Sequence, residues 1–375
     1  VRVILLCLFS ISVLAGPREQ AYTMHNRLTG IPPEKNVLDQ MEVLIAGGRA
    51  EEAAYLAMNN PAFYNVNLKR WIKPWTNEEQ SERVPLNDFV ATVIGVIRDD
   101  IRFDSLLYAD IAYSAPDNMY QNGDDNMRDD FREDSNRHYE RLERENQNLA
   151  AVLIQRTQSE RYSEVQEHAG ILTTRAAGMA FYDAGTNRAV TRFTFINWMC
   201  KDFEELHDIN VPDFLVRRDV ERTPGGDSRV YRNTCAGCHA GQDALGGAFA
   251  YLDWDGNNLE QSNNVVGKIN NLVNFPEGHM VQDNSFVNLW ATGQNASLGW
   301  RGATTGAGPR QFGQMLARSR AFSECMARRA YKFACQRELS PTSSLVDTLA
   351  DGFENQSTYN MKRLIANAST TCMGE

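Results

Sequence analysis

Cys235-Ala236-Gly237-Cys238-His239 is the stretch on which the reading of this chain turns. Two thiols three positions apart, followed at once by an imidazole, match the C-x-x-C-H pattern by which a c-type haem is held. Thioether bonds to two vinyl groups would fix one porphyrin on Cys235 and Cys238. His239 would then lie under the ring with a nitrogen aimed at the iron. Other chemistries also use C-x-x-C. A zinc site needs a second ligand pair at suitable spacing, yet Cys200, Cys325, Cys335 and Cys372 are isolated in the sequence. A thioredoxin-like dithiol belongs beside a βαβ pattern, whereas Thr223 to Asn233 reads as a polar, glycine-containing loop. One covalent haem c is therefore the expected cofactor.

The other axial position decides what such an iron does, because methionine ligation suits electron transfer and an open site permits peroxide or gas chemistry. Downstream, Phe275-Pro276-Glu277-Gly278-His279-Met280 forms a loop that could project a ligand. Met280 is the distal candidate and His279 the alternative. Met315 and Met326 sit in helical patterns, where core packing explains them. If the iron is open, a proton-moving base is needed beside it, and His279 and Glu277 are the residues to consider. Between motif and loop, Ala240 to Asn258 is rich in glycine and small residues, as where backbone passes close to a flat group. Asp253-Trp254-Asp255-Gly256-Asn257 resembles only a fragment of a calcium loop.

The rest of the chain supplies a setting. Residues 1–15 carry Arg2, an apolar run from Val3 to Leu14 and small residues before Gly16, the pattern of a cleavable signal peptide. Elsewhere no uncharged apolar run is long enough to span a bilayer, so the expectation is a periplasmic or extracellular protein that is not transmembrane. Over 375 residues, 38 basic side chains face 48 acidic ones, a net charge of −10. That balance disfavours a nucleic acid as partner. Beyond residues 1–15, four cysteines outside the motif suit an oxidising compartment. Cys325 and Cys335 share a predicted helix, Ser319 to Arg337, and ten helical residues separate them by roughly 15 Å. A disulfide tolerates roughly 4.4–6.8 Å between Cα atoms. The pairing is therefore Cys200–Cys325 with Cys335–Cys372, or the crossed set.

Apolar periodicity predicts a mainly α protein: a helical bundle-like body with a c-type haem-binding region and long loops. Residues 16–115 form an N-terminal helical domain, with a break at Gly47-Gly48 and helices around Phe63–Trp75 and Leu86–Ile97. Residues 116–165 comprise an acidic, turn-rich loop and a charged, exposed helix from Arg137 to Arg161 with a thin stripe of Leu142, Leu149 and Leu153. Residues 166–375 form the haem-binding helical domain. Within it, alternation at Phe193 and Phe195 hints at a short strand. Ser340-Pro341 predicts a cap and first helical residue, with a stop at Asp351-Gly352.

Several segments resemble one family: the large secreted proteins of planctomycetes, myxobacteria and related bacteria that carry a planctomycete-type cytochrome c region with domains of unknown function. The similar stretches are Asn26-Arg27-Leu28-Thr29-Gly30-Ile31-Pro32-Pro33, Phe103-Asp104-Ser105-Leu106-Leu107-Tyr108-Ala109-Asp110, His168 to Thr173, Trp198-Met199-Cys200 and Phe322 to Arg329 with Arg337 to Ser340. After the motif come Asp243-Ala244-Leu245-Gly246 and Phe249. The family's run is Asp-Pro-Leu-Gly-Phe, from which Ala244 and Gly247 depart. The resemblance implies an exported, mostly helical haem protein with a Cys200–Cys325 disulfide, and it supplies no reaction and no sixth ligand. The expectation is a monohaem c-type cytochrome that passes electrons to or from a redox protein partner. The alternatives are a haem peroxidase or oxygenase with an exchangeable sixth position, and a haem-bearing structural subunit of an extracellular or envelope assembly.

Overall fold

A computed structural model describes residues 15–120, 130–270 and 275–374. The signal-peptide reading falls outside these residues except at Ala15, as do Asn122-Gly123-Asp124-Asp125 and Asp129 of the acidic loop. The protein is mainly helical, with 55% helix and 6% strand. Three short antiparallel pairs join Ala112–Ser114 to Ile154–Arg156, Leu252–Trp254 to Leu259–Gln261, and Ser285–Val287 to Thr305–Ala307. Among the described residues no helix is long and apolar enough to cross a membrane.

Pro17–Thr29 opens on proline at its first turn, where the missing N–H costs no hydrogen bond. It stops at Gly30, whose φ of +76° a side chain would resist. Lys35–Ala46 and Ala50–Met58 follow, separated at Gly47-Gly48 as the pattern predicts. These three helices pack on one another, and Arg320–Cys335 and Met361–Thr370 from the far end of the chain complete the bundle. One apolar core consequently runs from Ala21 to Cys372.

The helix Asp88–Arg98 crosses the middle of this core, and every residue from Asp88 to Ile97 is buried. Asn87 caps it by accepting from the Val90 N–H at 3.0 Å. Buried Asp88 also accepts from the N–H groups of Arg175 and Ala176, at 2.6 and 3.0 Å, at the start of Arg175–Phe181. Tyr162 donates to it at 2.8 Å. Burial pushes the Asp88 carboxyl up, against these bonds. Gly95 is required by packing, since a Cβ there would lie 2.2 Å from the Tyr113 ring.

Several local expectations are corrected. Phe193 and Phe195 lie on the helix Arg188–Met199. Alternation misleads because buried polar residues interrupt the apolar face: Thr191 and Thr194 are covered, and Asn197 donates to the Trp75 carbonyl at 3.0 Å. The charged helix spans only Arg137–Arg144. Beyond it, Asn65 holds Gln147 and Leu149 by their backbone, and Arg98 donates to the carbonyls of Ala150 and Leu153. Tertiary bonds there leave only the four-residue helix Leu149–Val152, and Leu142, Leu149 and Leu153 are buried. The C-terminal helix capped at Ser340 instead begins at Ser344 with Ser343 as its cap. Residues Asp255 to Asn258 form a hairpin turn in which Asp255 accepts from the N–H groups of Asn257 and Asn258.

The cysteines pair as Cys200–Cys325 and Cys335–Cys372, with Cα separations of 5.3 and 5.8 Å. The first joins the end of Arg188–Met199 to Arg320–Cys335. The second ties that helix to the end of Met361–Thr370. Closing the second loop, a separation of 37 residues, restricts the unfolded chain by about 4 kcal/mol. Replacing Cys335 and Cys372 together by serine is expected to lower the urea-unfolding free energy by about that amount. No change would mean that the bond staples nothing.

His25 and His168 are buried, and burial lowers the affinity of both rings for a proton. The unfolded chain therefore takes up protons near pH ~6.5 that the folded one refuses. Stability should fall as pH drops from about 7 to about 5, and the slope should shrink in His168→Gln. A flat profile across that window would contradict the burial of these rings.

Candidate functional site

The motif sits at the start of a helix. A turn over Pro224–Gly226 and a short helix, Ser228–Val230, lead into a wide π-type turn, Tyr231–Cys235, and then into Ala236–Gly246. The approach is thus partly helical rather than a polar loop. Asp227 drives this by capping Ser228–Val230, its carboxylate accepting from the Arg229 N–H at 2.9 Å. Tyr231 anchors the turn, donating to Asp213 at 2.8 Å with Arg222 stacked over its ring.

Spacings of three and four residues put Cys235, Cys238, His239 and Gln242 on one side of the helix. Both thiols are free and half-buried, in contrast to the four disulfide-bonded cysteines. Cys235 Sγ lies 3.4 Å from Thr234 Oγ1, and Cys238 Sγ lies 3.4 Å from the Phe203 carbonyl. Burial and the neighbouring Glu204 and Asp202 push the Cys238 thiol up. Beside Cys238 opens a cavity of about 440 Å³ whose lining includes Arg188, Arg192, Phe193, Phe203 and Gln242.

The other side of the helix is locked into protein. A Cβ on Gly241 would lie 2.0 Å from Trp290, one on Gly237 2.7 Å from the His207 ring, and one on Gly247 2.1 Å from the Ser285 carbonyl. Gly246 abuts the Arg217 guanidinium. The small residues after the motif are therefore needed against Trp290, Arg217 and Ser285. Ala240 to Gly246 of that segment belong to the motif helix.

Next to His239 stands a buried charge cluster. His239 Nδ1 is 3.5 Å from Oδ1 of Asp243, one turn on, and has no hydrogen-bond partner within ordinary geometry. Asp243 is fully buried. Arg188 grips it through Nε at 2.6 Å and Nη2 at 2.9 Å, and the Arg217 N–H donates at 2.9 Å. Arg188 also clamps Asp219, at 2.5 and 2.7 Å. Burial alone would raise Asp243, but Arg188, the His239 contact and Arg217 outweigh it and hold the carboxyl far below the usual range. Burial conversely pulls Arg217 down to about 10.

The 275–280 loop docks beside this cluster. His279 bridges to the chain around Arg217, its N–H donating to the Val216 carbonyl at 2.8 Å and its carbonyl accepting from the Arg218 N–H at 3.2 Å. Its ring is half-buried and lines a cavity of about 190 Å³ together with Asp243, Ala244, Gly247 and Phe286. Burial and the nearby Arg217 lower its proton affinity. Met280 is 47% exposed, with Sδ 3.8 Å from Arg218 Nη1. Glu277 is exposed. The fold brings Cys235, Cys238 and His239 onto one surface and places His279 with Asp243.

These groups fit a covalently attached porphyrin: two unpaired thiols and an imidazole on one helical face, with a cavity at Cys238 that Phe193 and Phe203 line together with the charged Glu78, Arg188, Arg192, Asp202 and Glu204. When bound, such a group supplies a one-electron iron couple. The chain's own part would be to keep these two thiols out of the disulfides and to set the imidazole beside the buried carboxylate of Asp243. Arg188, Arg217 and Asp219 escaped the sequence reading, because nothing in their spacing points to the motif. Asp243 is legible as the residue four places after His239, but only as a family match.

Residues 303–371 match the model of a family described as a protein of unknown function, DUF1585. The match spans the C-terminal helices and leaves the motif outside. No curated protein and no solved structure gives a match to this chain.

Proposed function

We propose that this protein is an exported monohaem c-type cytochrome that exchanges single electrons with a redox protein partner. The observation that carries the reading is the contrast among its cysteines. Four close into disulfides, whereas Cys235 and Cys238 are unpaired on the face that also presents His239. Two disulfides support an oxidising compartment, which is where a leader over residues 1–15 would deliver the chain. The DUF1585 match adds support, since that family is found in cytochrome c-related families. Ile209, Phe214 and Val230, in the segment that leads into the motif, and Met280 in the later loop are exposed apolar side chains of the kind that a bound group or partner covers.

Met280 remains the proposed distal ligand, with His279 as the alternative. A peroxidase or oxygenase reading has one favouring observation: His279 is held by backbone bonds beside Arg217 and lines a cavity, where a proton-moving base could sit.

The test is the visible spectrum of protein matured with one haem, oxidised and reduced, with and without Met280→Ala. A six-coordinate spectrum with a methionine band that is lost in Met280→Ala is the expected result. A five-coordinate ferric spectrum with rapid peroxide binding would replace the electron-transfer reading by the enzymatic one. No haem on the chain at all would overturn both.

A further inference from the structure

We infer that Asp243 is the positioning residue for the haem ligand: its carboxylate accepts a hydrogen bond from the Nδ1–H of His239, and so sets the ring's tautomer and strengthens it as a donor to iron. The inference rests on the haem reading above and goes beyond it by naming what controls the iron's potential.

Three observations converge. First, His239 and Asp243 are four residues apart on one helix, so their side chains lie on the same face one turn apart. Second, each has one open valence, and the two face each other. Oδ1 of Asp243 accepts from Arg188 Nε and Oδ2 accepts from Arg188 Nη2 and the Arg217 N–H, which leaves Oδ1 room for one more donor. His239 Nδ1 is a buried atom without a partner, 3.5 Å from that oxygen. Third, the carboxylate cannot move to another partner. It is fully buried and held by the Arg188 guanidinium, which also clamps Asp219, and by the Arg217 backbone N–H, while the nearby Arg217 charge completes a neutral quartet. The imidazole, with 26% of its side chain exposed, is the member free to settle into the bond when its other nitrogen is fixed on a metal.

A ligating histidine that gives its second N–H to a carboxylate becomes a stronger donor. Stronger donation stabilises the ferric over the ferrous ion, so this chain's iron is expected to sit at a lower potential than the same haem without Asp243.

The experiment compares reduction potentials of the matured holoprotein as wild type, Asp243→Asn and Asp219→Asn. Both variants remove one negative charge from the same quartet, but only the first touches His239. Asp243→Asn is expected to shift the ferric–ferrous equilibrium toward ferrous by at least tenfold, about 59 mV, with Asp219→Asn shifting it less than threefold. Equal shifts in the two variants would overturn the inference, since the carboxylate would then act through charge alone. Should Asp243→Asn fail to fold, nitrogen-15 histidine NMR of the wild-type ferrous protein under carbon monoxide reads the bond directly. A slowly exchanging Nδ1 proton on His239 is expected, and a freely exchanging one would overturn the proposal. Failure of the haem reading is seen separately, as wild-type protein whose thiols stay free and whose spectrum shows no haem.

Discussion

The Arg188 guanidinium between Asp219 and Asp243 is the contact on which the site depends. It joins the start of Arg188–Met199 to the middle of the motif helix and to the strand-like segment around Arg217. Breaking a buried pair by removing one partner typically costs about 3–5 kcal/mol, so the charges that lie behind His239 are also what fix its helix. Structure and chemistry therefore draw on the same four side chains. Trp290 secures the opposite side of the helix, where Gly241 leaves no space for a side chain.

That local frame is held by the C-terminal helices. Arg320–Cys335 packs on Arg188–Met199 through the Cys200–Cys325 bond, on Met361–Thr370 through Cys335–Cys372, and on the first helix of the bundle. The aromatic rings of Trp71, Trp75, Trp198, Phe103 and Phe322 interlock in between. The DUF1585 match falls on this buttress, residues 303–371, and not on the motif. Its place in the fold is to brace the helix from which Arg188 reaches the site.

Much of this was legible in residue patterns. Regular apolar spacing marked the helices at both ends, because each buries one face against neighbours and exposes the other. The spacing between Cys325 and Cys335 excluded one disulfide pairing, and the family resemblance implied the pair that the fold contains. The pattern failed where burial is not one-sided: Phe193 and Phe195 lie on a helix covered on nearly every side, so the buried polar residues around them, Thr191, Thr194 and Asn197, carry no phase information. It failed again after Arg144, where Asn65 and Arg98 satisfy backbone groups from a distance. The motif residues were legible because local covalent chemistry demands their spacing. Arg188 and Arg217 were not, because their relation to His239 exists only after the chain has folded.

Attachment of a haem through Cys235 and Cys238 can be read by mass spectrometry of exported, haem-matured protein after trypsin. Cleavage at Arg232 and Lys268 releases residues 233–268, which contain both thiols and His239. This peptide is expected to carry the mass of one haem and to resist alkylation at both cysteines. The same peptide recovered without haem, with both thiols alkylated, would contradict the attachment.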